Sequence, residues 1–143
     1  MIVDQIMSKP VVTVHLDDTL SVVKHIFDNA KFHHLLVVEQ GKLFGVLSDR
    51  DLLKALSPFI GTPSQTLHDK ATLNKKVHQI MSRKPITLPP QANVYDAISV
   101  FNQHSISCIP IVDANEHILG IVSWRDILKT IEKNRNKKLN KNQ

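Results

Sequence analysis

Cysteine is almost absent from this chain, and that excludes a disulfide framework. Cys108 is the only cysteine among 143 residues, so no internal disulfide can form, which suits a reducing compartment such as the cytoplasm. It lies in an apolar run, which predicts a buried structural thiol. A metal centre is not expected from the eight histidines, because they show no His-x-x-x-His spacing and the adjacent pair at 33–34 would point to opposite faces of a strand.

Long hydrophobic runs are absent as well. The longest ones, at residues 35–38 and 109–112, are the size of a strand and far short of the roughly 20 residues that a membrane span needs. The opening residues show no basic segment followed by an apolar one, so no secretory signal is expected. These absences predict a cytoplasmic protein with no membrane span.

Acidic residues are missing after Glu132, and this decides what the net charge means. The charge of the basic residues beyond it equals the whole formal net charge of +5, so the preceding part of the chain is neutral overall. These basic residues are Lys133, Arg135, Lys137, Lys138 and Lys141. The Asn/Lys-rich end, residues 133–143, is predicted to be a disordered tail. The alternative is an electrostatic contact of this tail with RNA, a membrane or an acidic partner.

What the sequence does contain is an internal repeat. Residues 3–38 align without a gap on 77–112, and after one inserted residue 45–56 align on 120–131. Such similarity indicates a repeated unit that buries its apolar face against its copy, and one repeat of about fifty residues is marginal alone. The identical positions are Val3/Val77, Gln5/Gln79, Ile6/Ile80, Met7/Met81, Ser8/Ser82, Thr13/Thr87, Phe27/Phe101, Val38/Val112, Gly45/Gly120, Ser48/Ser123, Arg50/Arg125, Asp51/Asp126, Leu53/Leu128 and Lys54/Lys129.

Each repeat has the pattern strand, helix, strand, strand, helix. Asn93 with Asp96 three residues later is typical of a helix-opening capping box. Two apolar runs flank residues 39–42, and two more flank residues 113–116, which predicts a hairpin in each repeat. The closing helices are expected to begin at Ser48 and Ser123 and to bury three apolar residues each: Leu52, Leu53 and Leu56, or Ile127, Leu128 and Ile131.

The pattern predicts an α/β (α+β) fold of two β-α-β-β-α repeats. The first repeat covers residues 1–56 and a connector covers 57–76. The second repeat covers 77–132 and the basic tail 133–143.

The segment that carries chemistry is GVLSDRD at residues 45–51, which recurs as GIVSWRD at 120–126. A serine with an aspartate three residues later is a capping box, and that structural interpretation accounts for both residues. It does not account for Arg50 and Arg125, because a cation in the first helical turn lies at the unfavourable end of the helix dipole. Helix amides with a guanidinium suit a phosphate, and a carboxylate accepts hydrogen bonds from both hydroxyls of a ribose. The motif therefore predicts a nucleotide site.

The repeat plan and the motifs together resemble a tandem pair of cystathionine β-synthase (CBS) domains, known as a Bateman module. The resemblance rests on the Ile-Met-Ser opening, the threonine of the first strand, the apolar-Pro run at 109–112 and Gly-h-h-Ser-x-Arg-Asp, and it covers residues 1–132. It implies two repeats packed about a pseudo-twofold axis through their sheets, with clefts that bind adenosine compounds such as AMP, ADP, ATP or S-adenosylmethionine. It also implies a homodimer.

The resemblance places contacts to the nucleotide on matching positions of the two repeats. Leu36 replaces the proline expected at that position, so the first adenine wall differs in shape from the second. The first-strand contacts would be Val12, Thr13, Ile86 and Thr87, and the apolar wall against adenine would be Leu35, Leu36, Ile109 and Pro110. The hydroxyls would come from Ser48 and Ser123, the phosphate contacts from Arg50 and Arg125, and the ribose-binding acids from Asp51 and Asp126.

These features predict a regulatory module that senses an adenosine nucleotide and passes a conformational change to an unidentified partner protein or to its own oligomer. The nucleotide would be a regulatory ligand and no catalytic cofactor is expected. The chain shows no Ser/His/Asp or Cys/His set and no P-loop lysine, so no enzymatic activity is expected. The alternative is a nucleic-acid-associated protein held by its basic tail and switched by nucleotide.

Overall fold

The computed structural model of the chain describes residues 1–142 and confirms the mixed α+β fold. A short 3₁₀ turn at Val3–Gln5 precedes the first strand, and another lies at Thr72–Asn74. The strands and helices, in chain order, are β1 (Thr13–Val14), α1 (Leu20–Asp28), β2 (His34–Glu39), β3 (Lys42–Ser48), α2 (Asp49–Ala55), α3 (Leu67–Ala71), α4 (Val77–Ile80), β4 (Ser82–Arg83), α5 (Val94–Gln103), β5 (Cys108–Val112), β6 (Ile118–Ser123) and α6 (Trp124–Lys141).

The chain forms two compact units, and their bounds differ from those of the sequence repeats. The Asp51 unit is Val12–Pro85, and the Asp126 unit combines Met1–Val11 with the chain from Ile86 onwards. The opening segment of each repeat therefore packs on the body of the other repeat. Ser8 forms a bridge with Ile121 on β6, and Ser82 of β4 pairs with Val46 on β3.

The Asp51 unit is built on a four-stranded sheet in the order β1-β2-β3-β4. Strands β2 and β3 form the predicted hairpin, and its turn has positive φ angles of 50° at Gln40 and 77° at Gly41, the backbone that a two-residue primed turn requires. Strand β1 runs parallel to β2, with Thr13 opposite Leu36. The core consists of Val14, Leu20, Val23, Leu35, Val37, Leu47, Leu52, Val77 and Met81.

The Asp126 unit is built on the antiparallel hairpin of β5 and β6. The strand expected at residues 86–88 is reduced to one parallel bridge between Leu88 and Ile111. Two residues of the opening segment, Val3 and Met7, help to fill this core, just as Val77 and Met81 fill the other one. The core consists of Val3, Met7, Val94, Ala97, Ile109, Ile111, Val122 and Ile127.

The glycine of the repeated motif lies where the exchanged opening segment approaches the hairpin. A Cβ atom at Gly45 would lie 2.7 Å from Met81 Sδ and 2.8 Å from the backbone oxygen of Ser82. At Gly120 it would lie 2.6 Å from Met7 Sδ, while the backbone oxygen of Ser8 would be 3.1 Å away. A methionine side chain can move aside, whereas a backbone oxygen held in a strand cannot.

Gly45→Ala should therefore destabilise the protein by about 1–3 kcal/mol, the usual cost of overpacking, and by more than Gly120→Ala. The urea midpoint of unfolding, followed by circular dichroism, measures both variants against the wild type. An unchanged midpoint for Gly45→Ala would contradict the close approach.

The closing helices begin where the sequence predicts, but they bury fewer side chains. Leu52 and Ile127 are buried, whereas Leu53, Leu128 and Ile131 are 74%, 66% and 56% exposed, so their predicted burial is wrong. Leu53 and Leu128 directly follow the buried residues and lie about 100° away from them around the helix. Ile131 lies one turn beyond Ile127, in the part of α6 where residues 131–142 are all exposed.

Helix α6 also continues through most of the predicted disordered tail, ending at Lys141. The structure therefore differs from the sequence prediction for residues 133–141; residue 143 lies outside the described residues. This segment contains no glycine or proline that would end a helix. Lys138 and Lys141 stand in the last turn, where a positive charge is favourable to the helix dipole.

Candidate functional site

The first site is built around the capping box that opens α2. The Ser48 hydroxyl accepts a hydrogen bond from the backbone N–H of Asp51 at 3.0 Å, and Asp51 Oδ2 accepts one from the backbone N–H of Ser48 at 2.9 Å. The cap fixes the rotamer of Asp51 while using only one carboxylate oxygen. Its other oxygen, Oδ1, takes no part in this cap.

The second site has a related cap at the start of α6, in which the serine hydroxyl donates to the aspartate, and one additional contact. Asp126 Oδ2 accepts hydrogen bonds from the backbone N–H and the hydroxyl of Ser123 at 2.8 and 3.1 Å. The hydroxyl of Ser8 donates to Asp126 Oδ1 at 2.9 Å. Both carboxylate oxygens of Asp126 are thus engaged within the Asp126 unit, whereas Ser82, the counterpart of Ser8, makes no hydrogen bond to Asp51.

The contact of Ser8 with the predicted site residue Asp126 is one that the sequence prediction missed. The signal was present, because Ser8 and Ser82 are identical in the repeated opening. In the alignment Ser8 and Asp51 nevertheless belong to the same repeat. In the structure Ser8 contacts Asp126 instead, because each opening segment packs on the other repeat.

The two arginines of the motif stand in the first turns of α2 and α6, as predicted. Arg50 and Arg125 are both exposed. The ion pairs among residues 1–142 involve neither guanidinium. Each arginine is therefore a cation at a helix N-terminus without an ion pair among the described residues, and a positive charge is unfavourable at that end of the helix dipole.

The residue before each arginine differs between the two sites. Asp49 Oδ2 lies 2.7 Å from His33 Nδ1, so this extra carboxylate has a partner within its own unit. Its counterpart, Trp124, is 55% exposed and meets Phe101 edge to face, with 6.3 Å between ring centroids. The first site therefore carries an acidic, histidine-paired neighbour and the second an aromatic one.

The predicted wall residues divide between the two faces of each hairpin. Leu35 and Ile109 belong to the hydrophobic cores and have no exposed side-chain surface. Leu36 and Pro110 follow them directly, and since successive strand residues point to opposite faces, they project away from these cores. Leu36 and Pro110 are nevertheless fully buried as well, so the structure exposes no side chain of the four predicted wall residues.

The first-strand residues lie next to these walls in both units. The backbone N–H of Leu36 donates to the carbonyl of Val12 at 3.2 Å, and Thr13 beside it is exposed. In the Asp126 unit, the N–H of Leu88 donates to the carbonyl of Pro110 at 3.2 Å. This bond sets the preceding residues, the half-buried Ile86 and the exposed Thr87, beside the second wall.

Other chemistries find little support in the described part of the chain. Within residues 1–142 no three His, Cys, Asp or Glu side chains come together as a metal site would require. None of the helices in that range has both the length and the hydropathy for crossing a bilayer.

A family model and several relatives match this arrangement. The CBS domain model matches residues 3–58 and again 77–133. A CBS domain-containing protein of Dictyostelium discoideum is 32% identical over 135 residues, which are 93% of this chain and 92% of that protein. Two relatives from Methanocaldococcus jannaschii are each 30% identical to this chain and are longer than it. The chain spans 37% of one and 47% of the other.

Two solved structures show the same fold. The CBS domain pair of protein MJ0100, in complex with 5'-methylthioadenosine and S-adenosylmethionine, is 27% identical with a TM-score of 0.77, covering 94% of this chain and 98% of that one. The CBS domain of a membrane protein from Sphaerobacter thermophilus is 30% identical with a TM-score of 0.75, covering 90% and 86%. With two matches to the family model and these relatives, the chain belongs to the CBS-domain family and carries two copies of that domain.

Proposed function

We propose that the chain is a regulatory module that binds an adenosine nucleotide at its two Ser-x-Arg-Asp sites. The observation that carries this proposal is the pairing, in both units, of a cap-oriented aspartate with an exposed arginine that forms no ion pair among residues 1–142. The aspartate suits the hydroxyls of a ribose and the arginine suits a phosphate. The related pair of protein MJ0100 holds two adenosine compounds, which favours adenine as the base.

The ligand acts as a signal in this proposal, and the chain performs no chemistry on it. A ligand shifts a conformational equilibrium only as far as its affinities for the two states differ. Ser8 offers such a difference, because it links the opening segment to the carboxylate that would bind ribose. We propose that a nucleotide at Asp126 changes the position of residues 1–11 and that an unidentified partner protein responds. The module is further proposed to be a homodimer through Leu128 and Ile131, two exposed apolar side chains in the first half of α6.

A thermal-shift panel tests the ligand class. Adenosine, AMP, ADP, ATP, S-adenosylmethionine and GMP are compared at the same concentration. A ligand at a hundred times its dissociation constant adds about 2.7 kcal/mol to the native state, which raises the melting temperature by several degrees. The proposal expects AMP, ADP or ATP to exceed adenosine, because the arginines bind phosphate, and to exceed GMP. No shift from any adenosine compound at millimolar concentration would overturn it.

Removing the Ser8 hydroxyl should tighten nucleotide binding at the second site. The Ser123 cap already orients Asp126, so Ser8 competes with a ribose hydroxyl for Oδ1 more than it holds the side chain. A hydrogen bond to a charged group contributes about 1.5–3 kcal/mol net, so Ser8→Ala should bind at least about tenfold more tightly.

Ser82→Ala is the matched control, because Ser82 occupies the equivalent position but makes no bond to Asp51. It should leave both affinities unchanged in calorimetry. Weaker binding by Ser8→Ala would show that Ser8 positions the carboxylate instead of competing for it.

A further inference from the structure

The C-terminal helix carries a row of lysines on one face. Lys129, Lys133, Lys137 and Lys141 follow each other at intervals of four residues within α6, and all four are exposed. Four helical residues rise about 6 Å, so the row places positive charges at regular intervals along the axis. Asn136 and Asn140 lie on the same side, and with the first three lysines and the single acid Glu132 they line a shallow groove. We call the four lysines and the two asparagines the lysine face. We leave Glu132 out of this name, because three lysines outweigh its charge.

This row is unfavourable for an isolated helix. Like charges four residues apart destabilise a helix by a few tenths of a kcal/mol per pair, and the described ion pairs include none of the four lysines. No acid follows Glu132 in the sequence. A bound polyanion would remove this repulsion, so the charge pattern is complementary to a regularly charged anionic chain.

The position of the apolar residues on α6 separates two kinds of polyanion. Its exposed apolar side chains are Trp124, Leu128, Ile131 and Leu139. At about 100° per residue they centre about 180° away from the lysine row. A helix that lies on a membrane inserts its apolar face and keeps its lysines on the opposite, polar face, so membrane binding needs the apolar side chains to be free. In the homodimer proposed above, a second copy covers Leu128 and Ile131, and the lysine face alone remains for a polyanion; this step rests on the proposed function.

We propose that the lysine face binds the phosphodiester backbone of nucleic acid without reading its sequence. Lysine ammonium groups neutralise phosphates, and asparagine amides donate to phosphate and sugar oxygens, contacts that carry no sequence information. The lysine face contains no aromatic side chain, so it offers no surface on which bases would stack. Recognition by charge alone should depend steeply on salt.

Fluorescence anisotropy with the full chain tests this proposal. The probes are labelled oligonucleotides of mixed sequence, single-stranded and duplex, and phosphatidylserine vesicles serve as the alternative polyanion. Neutralising four phosphates predicts a slope of about −2.8 to −3.6 in log K against log salt concentration. Replacing all four lysines of the row by glutamine should weaken oligonucleotide binding at least tenfold and flatten this slope.

The matched control replaces Lys31, Lys42, Lys54 and Lys70, which are also exposed and lie in the Asp51 unit. It lowers the net charge by the same amount and should keep near wild-type binding. Circular dichroism confirms that both variants keep their helices, and AMP binding should be equal in both. An equal loss of oligonucleotide affinity in the two variants would show that binding depends on net charge alone, and it would overturn the proposal. Binding to vesicles without binding to oligonucleotides would overturn it as well.

Discussion

Asp126→Ala should bind adenosine nucleotide at least tenfold more weakly at the second site than the wild-type chain. The substitution removes two charge-assisted hydrogen bonds to the ribose, each contributing at most about 1.5–3 kcal/mol, and about 1.4 kcal/mol corresponds to a factor of ten in affinity. Titration calorimetry measures the loss directly. Asp51→Ala is the equivalent change in the other unit, so the two variants assign each binding event to a site.

A capping role alone would also make Asp126 important, and a neighbouring helix provides the control. Asp96 Oδ2 accepts a hydrogen bond from the backbone N–H of Asn93 at 2.9 Å and caps α5 in the same unit. Asp96→Ala should lose a similar stability, about 0.5–2 kcal/mol for a lost cap, while nucleotide affinity stays unchanged. If folded Asp126→Ala binds as the wild type does, or if Asp96→Ala loses as much affinity, the ribose assignment is wrong.

The sequence predicted those parts of the fold that short-range chemistry determines. The serine caps of α2 and α6 need only residues three positions apart, and the first hairpin needs only a turn that tolerates positive φ at Gln40 and Gly41. The structure confirms both, because these hydrogen bonds join residues that are close in the sequence and form whatever the tertiary contacts of the segment are. The repeat itself carried the resemblance to a family, which the family model then confirmed.

Long-range contacts were beyond the sequence argument. An alignment shows that Ser8 matches Ser82, but it does not show that each opening segment packs on the other repeat's hairpin. The repeated glycines at 45 and 120 were the only trace of that close approach, and a glycine has many other uses. Composition also misled the prediction for residues 133–141, since a polar Asn/Lys-rich segment without glycine or proline remains compatible with extension of an existing helix.

Leu128→Glu should convert the protein from a dimer to a monomer. Leu128 and Ile131 are 66% and 56% exposed on α6, and apolar surface of this kind is usually covered by another protein surface. Over residues 124–132 the basic Arg125 and Lys129 balance Asp126 and Glu132, so two copies of this half of the helix can meet without net repulsion. In a twofold dimer the same patch meets itself.

The glutamates of the variant would then enter the dimer interface as a like-charged, desolvated pair. Burying each ion costs several kcal/mol, enough to weaken association more than a thousandfold. Light scattering at micromolar concentration should give twice the 16.2 kDa chain mass for the wild type and the single chain mass for Leu128→Glu. A monomeric wild type, with and without nucleotide, would refute the dimer.

Two controls locate the interface along the chain. Leu67→Glu places the same charge on a leucine that is 88% exposed in α3, and it should leave the dimer intact. Leu139→Glu changes a half-exposed leucine on α6 within the positively charged half of that helix. Two copies of this half would repel each other through Lys133, Lys137 and Lys141, so the interface should end before it and this variant should remain dimeric. Dissociation by Leu139→Glu would extend the interface over the lysine-bearing half of α6.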